Sequence, residues 1–186
     1  MIKMALIVLL LVVAAILGLL VMLYNRLVAL RQNVNQGSAD IDVQLRQRHD
    51  LIPNLVSAVK GYAAHERETL DAVIAARNSA EAGRGGNAAA ETALGNALGK
   101  LFALAEAYPD LKANTNFLSL QGELADVEDK LAAARRALNS ATTQYNAYRE
   151  SFPAILIANM FGFAPMAFER IGESEQHVSA APTVQF

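Results

Sequence analysis

The longest apolar segment of the chain lies at its N-terminus. Residues 4–23, MALIVLLLVVAAILGLLVML, carry no charged side chain, and a helix of about 20 residues is about 30 Å long, which matches the hydrocarbon core of one bilayer. The apolar part of a cleaved signal peptide, the competing interpretation, is shorter, about 7 to 15 residues, and ends in small residues. The pattern therefore favours an uncleaved transmembrane anchor over residues 1–24. Its positions include Leu6, Leu10, Leu23, the interfacial Tyr24, and the small-xxx-small pair Ala14 and Gly18, a spacing that lets two anchors pack closely.

Behind the anchor, apolar residues recur at steps of three, four and seven, which is the spacing of one helix face. This pattern continues from Leu23 through Val59 to Val73 and ends at EAGRGGN, residues 81–87. The glycines there permit a tight reversal between helices. Gly37 and Ser38 mark a weak point within the pattern, because a glycine in a helix interior costs about 1 kcal/mol relative to alanine.

Two more helices follow. An alanine-rich pattern from about residue 88 to 107 stops at YPDLK, residues 108–112, because the residue before a proline avoids the α region. The next helix has the longest repeat in the chain, of a length typical of coiled-coil packing, and no run alternates with period two as a strand would. The sequence thus predicts an all-α protein whose transmembrane helix continues into an antiparallel up-and-down bundle of long helices over residues 25–170. The packing face of the long repeat comprises Phe117, Leu120, Leu124, Val127, Leu131, Leu138, Tyr145 and Tyr148.

Pro53 interrupts the helical pattern within HDLIPNL. In a continuous helix it removes one backbone hydrogen bond and collides with the carbonyl of His49, at a cost of about 3 kcal/mol unless the helix bends. If Asp50 instead caps a new helix, Pro53 lies in the first turn, where its missing N–H matters little. Both interpretations predict a kink or break, so we assign a hinge to Asp50, Pro53 and Asn54.

The segment SFPAILIANMFGFAPMAFE, residues 151–169, is apolar but too short and too interrupted for a standard membrane span. One interpretation is a cap folded against the end of the bundle, and the other is a surface that contacts lipid or a second subunit. The candidate interface residues are Phe152, Ile155, Phe161, Phe163 and Phe168. Residues 171–186 are polar and aperiodic, which predicts a flexible tail.

Composition excludes several classes of function. The 16 basic and 18 acidic side chains nearly cancel, so nucleic acid is not an expected partner. The chain has no cysteine, which excludes disulfides, thiolate chemistry and cysteine-ligated metals. HERET, residues 65–69, lacks the second histidine of a zinc motif, and we expect His49 and His65 to be ordinary solvent-facing or capping residues. No catalytic, cofactor or metal site is predicted.

The residues of three segments resemble the LemA family of bacterial membrane proteins: 24–66 with DLIPNL, 106–135 with YPDLKAN, and 145–163. The resemblance covers nearly everything from the anchor to about residue 170. It implies an N-terminal membrane helix followed by a helical bundle, in the bacterial inner membrane, and it carries over no catalytic residue. Some members of this family are associated with membrane remodelling, as in magnetosome formation, and others lie near genes for membrane proteases or stress functions. One departure is that this chain has no tryptophan near Gly37, where members usually have one.

The first functional hypothesis is a non-enzymatic, single-pass membrane scaffold that self-associates and contributes to membrane organisation, remodelling or the envelope stress response. The alternative is an adaptor that presents its helical surface to a membrane protease or signalling partner. A hydrolase with scattered catalytic residues is the third and least supported hypothesis. More arginines closely follow the anchor than precede it, which favours a cytoplasmic location for the bundle. The expected partners are therefore a lipid bilayer and further copies of the chain.

Overall fold

The computed structural model describes residues 1–83 and 87–169, and it confirms the all-α prediction. These residues contain six helices and no strand: α1 Ile2–Lys60, α2 Arg67–Ala82, α3 Ala88–Ala105, α4 Pro109–Lys112, α5 Thr115–Glu150 and α6 Ala154–Met160. The predicted flexible tail, residues 171–186, and most of the predicted GRGG turn lie outside the described part of the chain.

The helices group into two compact units. Unit 1 comprises Met1–Ser38 and Arg136–Glu169, and the described residues of unit 2 are 39–83 and 87–135. The sequence instead predicts one bundle over residues 25–170. The apolar periodicity carries no sign of the boundary because α1 and α5 each continue without interruption from one unit into the other.

Unit 2 is built around a core to which α1, α2, α3 and α5 all contribute. Asn87 caps α3 by accepting a 3.1 Å hydrogen bond from the backbone N–H of Ala90, and Asn114 does the same for α5 through Phe117 at 3.0 Å. The pairing of Arg48 with Glu128 on α5 shows that these parts of α1 and α5 are neighbours. The largest fully buried core residues of the cluster are Ile52, Leu55, Val59, Val73, Leu94, Leu101 and Leu111.

The first helix break lies at a different place from the predicted one. Helix α1 continues through Pro53 to Lys60, so Asp50 does not cap a new helix, and that interpretation is wrong. The chain turns at residues 61–66 instead, beginning at Gly61 directly after the helix ends at Lys60. A basic residue followed by glycine is a common helix end, and Lys60 and Gly61 were the overlooked signal. Whether Pro53, Asp50 and Asn54, all exposed, act as a hinge stays a prediction.

Gly37 is a close-packing position, although the sequence marked it as a weak point. A Cβ atom added there would lie 3.2 Å from the Cα and 3.3 Å from the Cβ of Leu138 on α5. The missing side chain therefore lets α1 and α5 approach closely within unit 1. Ser38, which follows it, is exposed.

The structure places the predicted packing face of α5 mostly inside the protein. Phe117, Leu124, Val127 and Leu131 are buried within unit 2, and Leu138 and Tyr145 are buried within unit 1. Leu120 and Tyr148 are half-buried.

Candidate functional site

Two asparagines of α5 hold the extended end of unit 1. The side-chain amide of Asn146 donates to the carbonyl of Met166 at 2.8 Å, and its oxygen accepts from the Met166 N–H at 3.0 Å. Asn139 makes the same pair of bonds with Glu169, at 3.1 and 2.9 Å. The two asparagines are seven residues apart, about 10.5 Å along a helix, and three extended residues span about the same distance, so the two spacings match.

Two longer side chains of α5 extend this attachment. The hydroxyl of Tyr145 donates to the carbonyl of Ala164 at 2.8 Å, and Nε of Arg149 donates to the carbonyl of Phe163 at 2.6 Å. The segment 163–169 is therefore bonded along one face of α5 over about three helical turns. These bonds give partners to part-buried backbone groups and hold the segment that follows α6 against α5.

Helix α6 has an apolar face on each side. Ala154, Ile157 and Ala158 are buried within unit 1, as the cap interpretation predicts. The other face carries Leu156 and Met160, which are 60% and 66% exposed. Phe152, Phe161 and Phe168 are also exposed, whereas Ile155 is half-buried. We call Phe152, Leu156, Met160 and Phe161 the apolar surface.

A glycine turn connects α6 to the docked segment. Gly162 has a φ of +71°, and the N–H of Phe163 bonds to the carbonyl of Ala158 at 2.9 Å, which is a Schellman helix end. This turn brings Phe163 against α1, where its ring lies 5.6 Å from Tyr24 and 5.0 Å from the guanidinium carbon of Arg31. Phe163 is therefore buried within its own unit, and its prediction as an interface residue is wrong.

The N-terminal part of α1 is apolar and exposed. Its most apolar 18-residue window has a mean hydropathy of 3.4, and 6% of that window is buried. Among the described residues, this helix is the one long and apolar enough to cross a membrane, by length and composition. Leu6 and Leu10 are exposed, and a Cβ on Gly18 would meet no atom within 4 Å. An exposed apolar surface of this kind is typical of a helix that contacts lipid or another helix. Ala14 is exposed as well.

The end of the predicted anchor already packs on protein. Leu23 is 8% exposed and belongs to the core of unit 1. The ring of Tyr24 lies 5.1 Å from that of Phe161 in an edge-to-face arrangement. The internal packing of unit 1 therefore begins inside the segment that the sequence assigns to the anchor.

Unit 2 contains a buried ionic cluster that the sequence did not indicate. Glu91 of α3 lies between two side chains of α1, with its carboxylate 3.4 Å from Nη1 of Arg48 and 2.9 Å from Nε2 of His49. All three residues are at most 8% exposed. Arg48 also reaches Glu128 on α5 at 3.5 Å. The cluster ties three helices together, and each buried charge has a partner, as burial requires.

The prediction that His49 faces solvent or caps a helix is therefore wrong, whereas His65 is exposed. Periodicity missed His49 because it classes histidine as polar, although His49 lies three residues before the core residue Ile52, on the same side of α1. Residues 1–83 and 87–169 contain no group of three or more His, Cys, Asp or Glu placed to hold a metal ion.

Unit 2 also has an open groove of about 490 Å³ between α1 and α5. Its walls are mostly small or polar. The lining residues are Asn54, Ser57, Ala58, Asn116, Ser119, Leu120 and Glu123. Two of the serine hydroxyls bond locally, Ser57 to the carbonyl of Pro53 and Ser119 to Glu123.

Comparison with known proteins identifies the family. The sequence profile of the LemA family matches residues 37–186, which is most of the chain. The chain belongs to the LemA family. The expected resemblance is thus confirmed. The matched residues include Gly37, which packs on α5, and Asn139 and Asn146, which bond to the segment after α6.

Relatives of this LemA-family chain include magnetosome proteins. It is 26% identical to magnetosome protein MamQ of Magnetospirillum gryphiswaldense over 172 residues, 77% of this chain and 63% of that protein. It is also 26% identical to magnetosome protein MamQ 2 of Paramagnetospirillum magneticum over 179 residues, 81% of this chain and 66% of that protein. The alignments thus span less than two thirds of these relatives.

Family membership and the exposed apolar helix together support a membrane-associated protein. In this LemA-family chain, the structure brings Tyr24 together with Phe161 and Phe163, which the sequence assigned to separate sites. It places the predicted hinge residues on the exposed side of α1, with Asn54 at the groove.

Proposed function

We propose that this protein is a non-enzymatic, single-pass scaffold of the bacterial inner membrane that self-associates and contributes to membrane organisation, remodelling or the envelope stress response. The observation that carries this proposal is the N-terminal part of α1, which is strongly apolar, almost wholly exposed and continuous with a packed helix. A helix of this kind holds a folded body at a membrane. The similarity to magnetosome proteins favours membrane organisation as its role.

Self-association through the anchors is supported by the open face at Gly18. A residue without a side chain on an exposed apolar helix allows a second helix to approach closely, which is how small-xxx-small pairs work in membranes. Because the wild-type chain has no cysteine, single-cysteine variants test this directly. Gly18→Cys should form disulfide-linked dimers in membranes under mild oxidation. Ile16→Cys, which is about 200° away around the helix, is the matched control.

Faster cross-linking at position 18 than at position 16 supports anchor packing, and equal rates contradict it. Light scattering of the full-length protein in mild detergent measures the number of copies. A strict monomer in detergent together with equal cross-linking rates would overturn the scaffold proposal.

We propose a cytoplasmic location for the residues that follow the anchor, since Arg26 and Arg31 follow the span closely while Lys3 precedes it. Gln36→Cys provides the test, because residue 36 is exposed and lies beyond the span. A membrane-impermeant maleimide should label this variant in permeabilised cells and not in intact spheroplasts. Labelling in intact spheroplasts would place this part of the chain outside.

The alternative is an adaptor for a membrane protease or signalling partner. The groove between α1 and α5 favours it, since its serine and asparagine side chains offer hydrogen bonds to a bound segment of another protein. Ser119→Trp would fill the groove. Loss of one stoichiometric partner on affinity purification, with unchanged self-association, would favour the adaptor over the scaffold.

A further inference from the structure

We propose that the hairpin of residues 151–162 lies in the interfacial layer of the same bilayer that α1 crosses, with Phe152, Leu156 and Met160 inserted among the lipid headgroups. This inference rests on the membrane anchoring of the proposed function and not on self-association. It is carried by three observations on unit 1: the composition of the hairpin, its height along α1, and the charges around it.

The composition of the hairpin suits lipid better than water. No charged residue occurs between Glu150 and Glu169. An ordinary surface helix buries one face and turns polar residues outward, but α6 buries one apolar face and exposes another. Leu156 and Met160 are four residues apart on α6, so they form one exposed stripe, and Phe152 is exposed just before this helix begins. Such a contiguous apolar stripe marks a contact surface.

The height of the hairpin follows from the packing of α1 on α5. Gly37 packs against Leu138. Phe163, which directly follows the hairpin, contacts Tyr24, thirteen residues nearer the anchor than Gly37, and its carbonyl accepts a hydrogen bond from Arg149, eleven residues beyond Leu138. The two helices therefore run antiparallel within unit 1, and the end of α5 is level with the end of the apolar run of α1.

The hairpin continues from this end of α5. Its residue Phe161 contacts the ring of Tyr24, and a helical side chain leans toward the N-terminus of its helix, here toward the membrane span. An interfacial layer is about 5 to 8 Å thick on each side of the hydrocarbon core. Tyr24 immediately follows the apolar run, so the contact with Phe161 falls in this layer.

The charges near this level suit anionic headgroups. Arg26 and Arg31 lie within the first turns after the span, and Arg149 lies at the end of α5 next to the acidic residue Glu150. Arginines close to a membrane surface are attracted to anionic lipids. An exposed apolar stripe bordered by arginines is the usual composition of an element that lies in the interface.

Phe168 provides a matched control within the same apolar segment. It is 55% exposed, close to the value for Leu156. However, its neighbour Glu169 is bonded to Asn139, next to the residue that packs on Gly37, and Gly37 is about 20 Å along α1 from Tyr24. Phe168 should therefore stand clear of the bilayer.

The absence of tryptophan from the chain permits a test without background. Leu156→Trp, Phe168→Trp and Met22→Trp are each introduced into the full-length protein in vesicles of phosphatidylcholine and phosphatidylglycerol. Lipids brominated at the upper acyl chain quench nearby tryptophan. Met22, exposed within the span, reports insertion. The folded state of each variant is checked by circular dichroism.

We expect strong quenching and blue-shifted emission at positions 22 and 156, and at least fivefold less quenching at position 168. Equal quenching at 156 and 168 would overturn the inference, since the hairpin would then have no special depth. Blue-shifted emission at 156 without quenching would also overturn it, because a second copy of the chain would cover the stripe. Absence of quenching at 22 would instead contradict the membrane anchor itself, and the inference with it.

Discussion

The strongest prediction for stability concerns Glu91, the centre of the buried ionic cluster. Its carboxylate is 7% exposed and contacts both Arg48, at 3.4 Å, and His49, at 2.9 Å. Removing one partner of a buried ion pair costs about 3 to 5 kcal/mol, because the other charge remains buried without compensation. Arg48 retains Glu128 at 3.5 Å, whose side chain is 55% exposed. We therefore expect Glu91→Gln to lower the free energy of unfolding by about 3 kcal/mol, the lower end of that range.

The chain offers a matched surface pair as the control. Arg77 and Glu81 on α2 are 2.6 Å apart, and the side chain of Glu81 is 53% exposed. A solvent-exposed pair at this helical spacing contributes about 0.5 kcal/mol, so Glu81→Gln should have a small effect. The two variants remove the same charge from the same kind of pair and differ in burial.

Thermal unfolding of the full-length protein in mild detergent, followed by far-UV circular dichroism, measures both variants. With about 2 to 4 °C per kcal/mol for a chain of this size, Glu91→Gln should lower the Tm by about 6 to 12 °C and Glu81→Gln by about 1 to 2 °C. Because the chain has two units, hydrogen exchange of α3 should locate the loss in unit 2. Equal Tm values for the two variants would refute the reasoning.

Other predictions address the core, the helix contact and one tyrosine. Leu131→Ala should cost about 2 to 5 kcal/mol, measured by urea unfolding, while Leu118→Ala on the exposed side of α5 should cost little; equal losses would show that the repeat is not a core. Gly37→Leu should destabilise the protein by about 1 to 3 kcal/mol in the same assay, because the new side chain would overlap α5, and the same change at the exposed serine that follows is the control. The hydrogen bond to Glu66, at 3.0 Å, with burial and the nearby negative charge, raises the pKa of Tyr108. The contribution of Tyr108 to stability is therefore present below its unfolded pKa of about 10 and lost as the pH rises through the folded value. Glu66→Gln should move the ultraviolet titration of this phenol to lower pH, and an unchanged curve would contradict the assignment.

The sequence by itself determined the class of fold. Helical periodicity located the long α5 within two residues at each of its ends, because a repeat of three and four over so many turns is compatible with no other structure. It also identified the apolar span and a family resemblance that comparison confirmed. The sequence did not locate the end of α1 at Lys60 and Gly61. The proline at position 53 is the more conspicuous helix-breaking residue, although the helix continues through it.

Only the tertiary structure decided which polar residues are buried and which apolar residues remain exposed. Glu91 lies more than forty residues from Arg48 and His49 in the sequence, and no local pattern encodes the approach of α3 to α1. The two apolar faces of α6 likewise look the same in the sequence. The choice between them depends on the bonds that Asn139 and Asn146 make with the returning chain. Periodicity gives the spacing of residues along one helix, whereas burial depends on which side chains of another helix pack against that face.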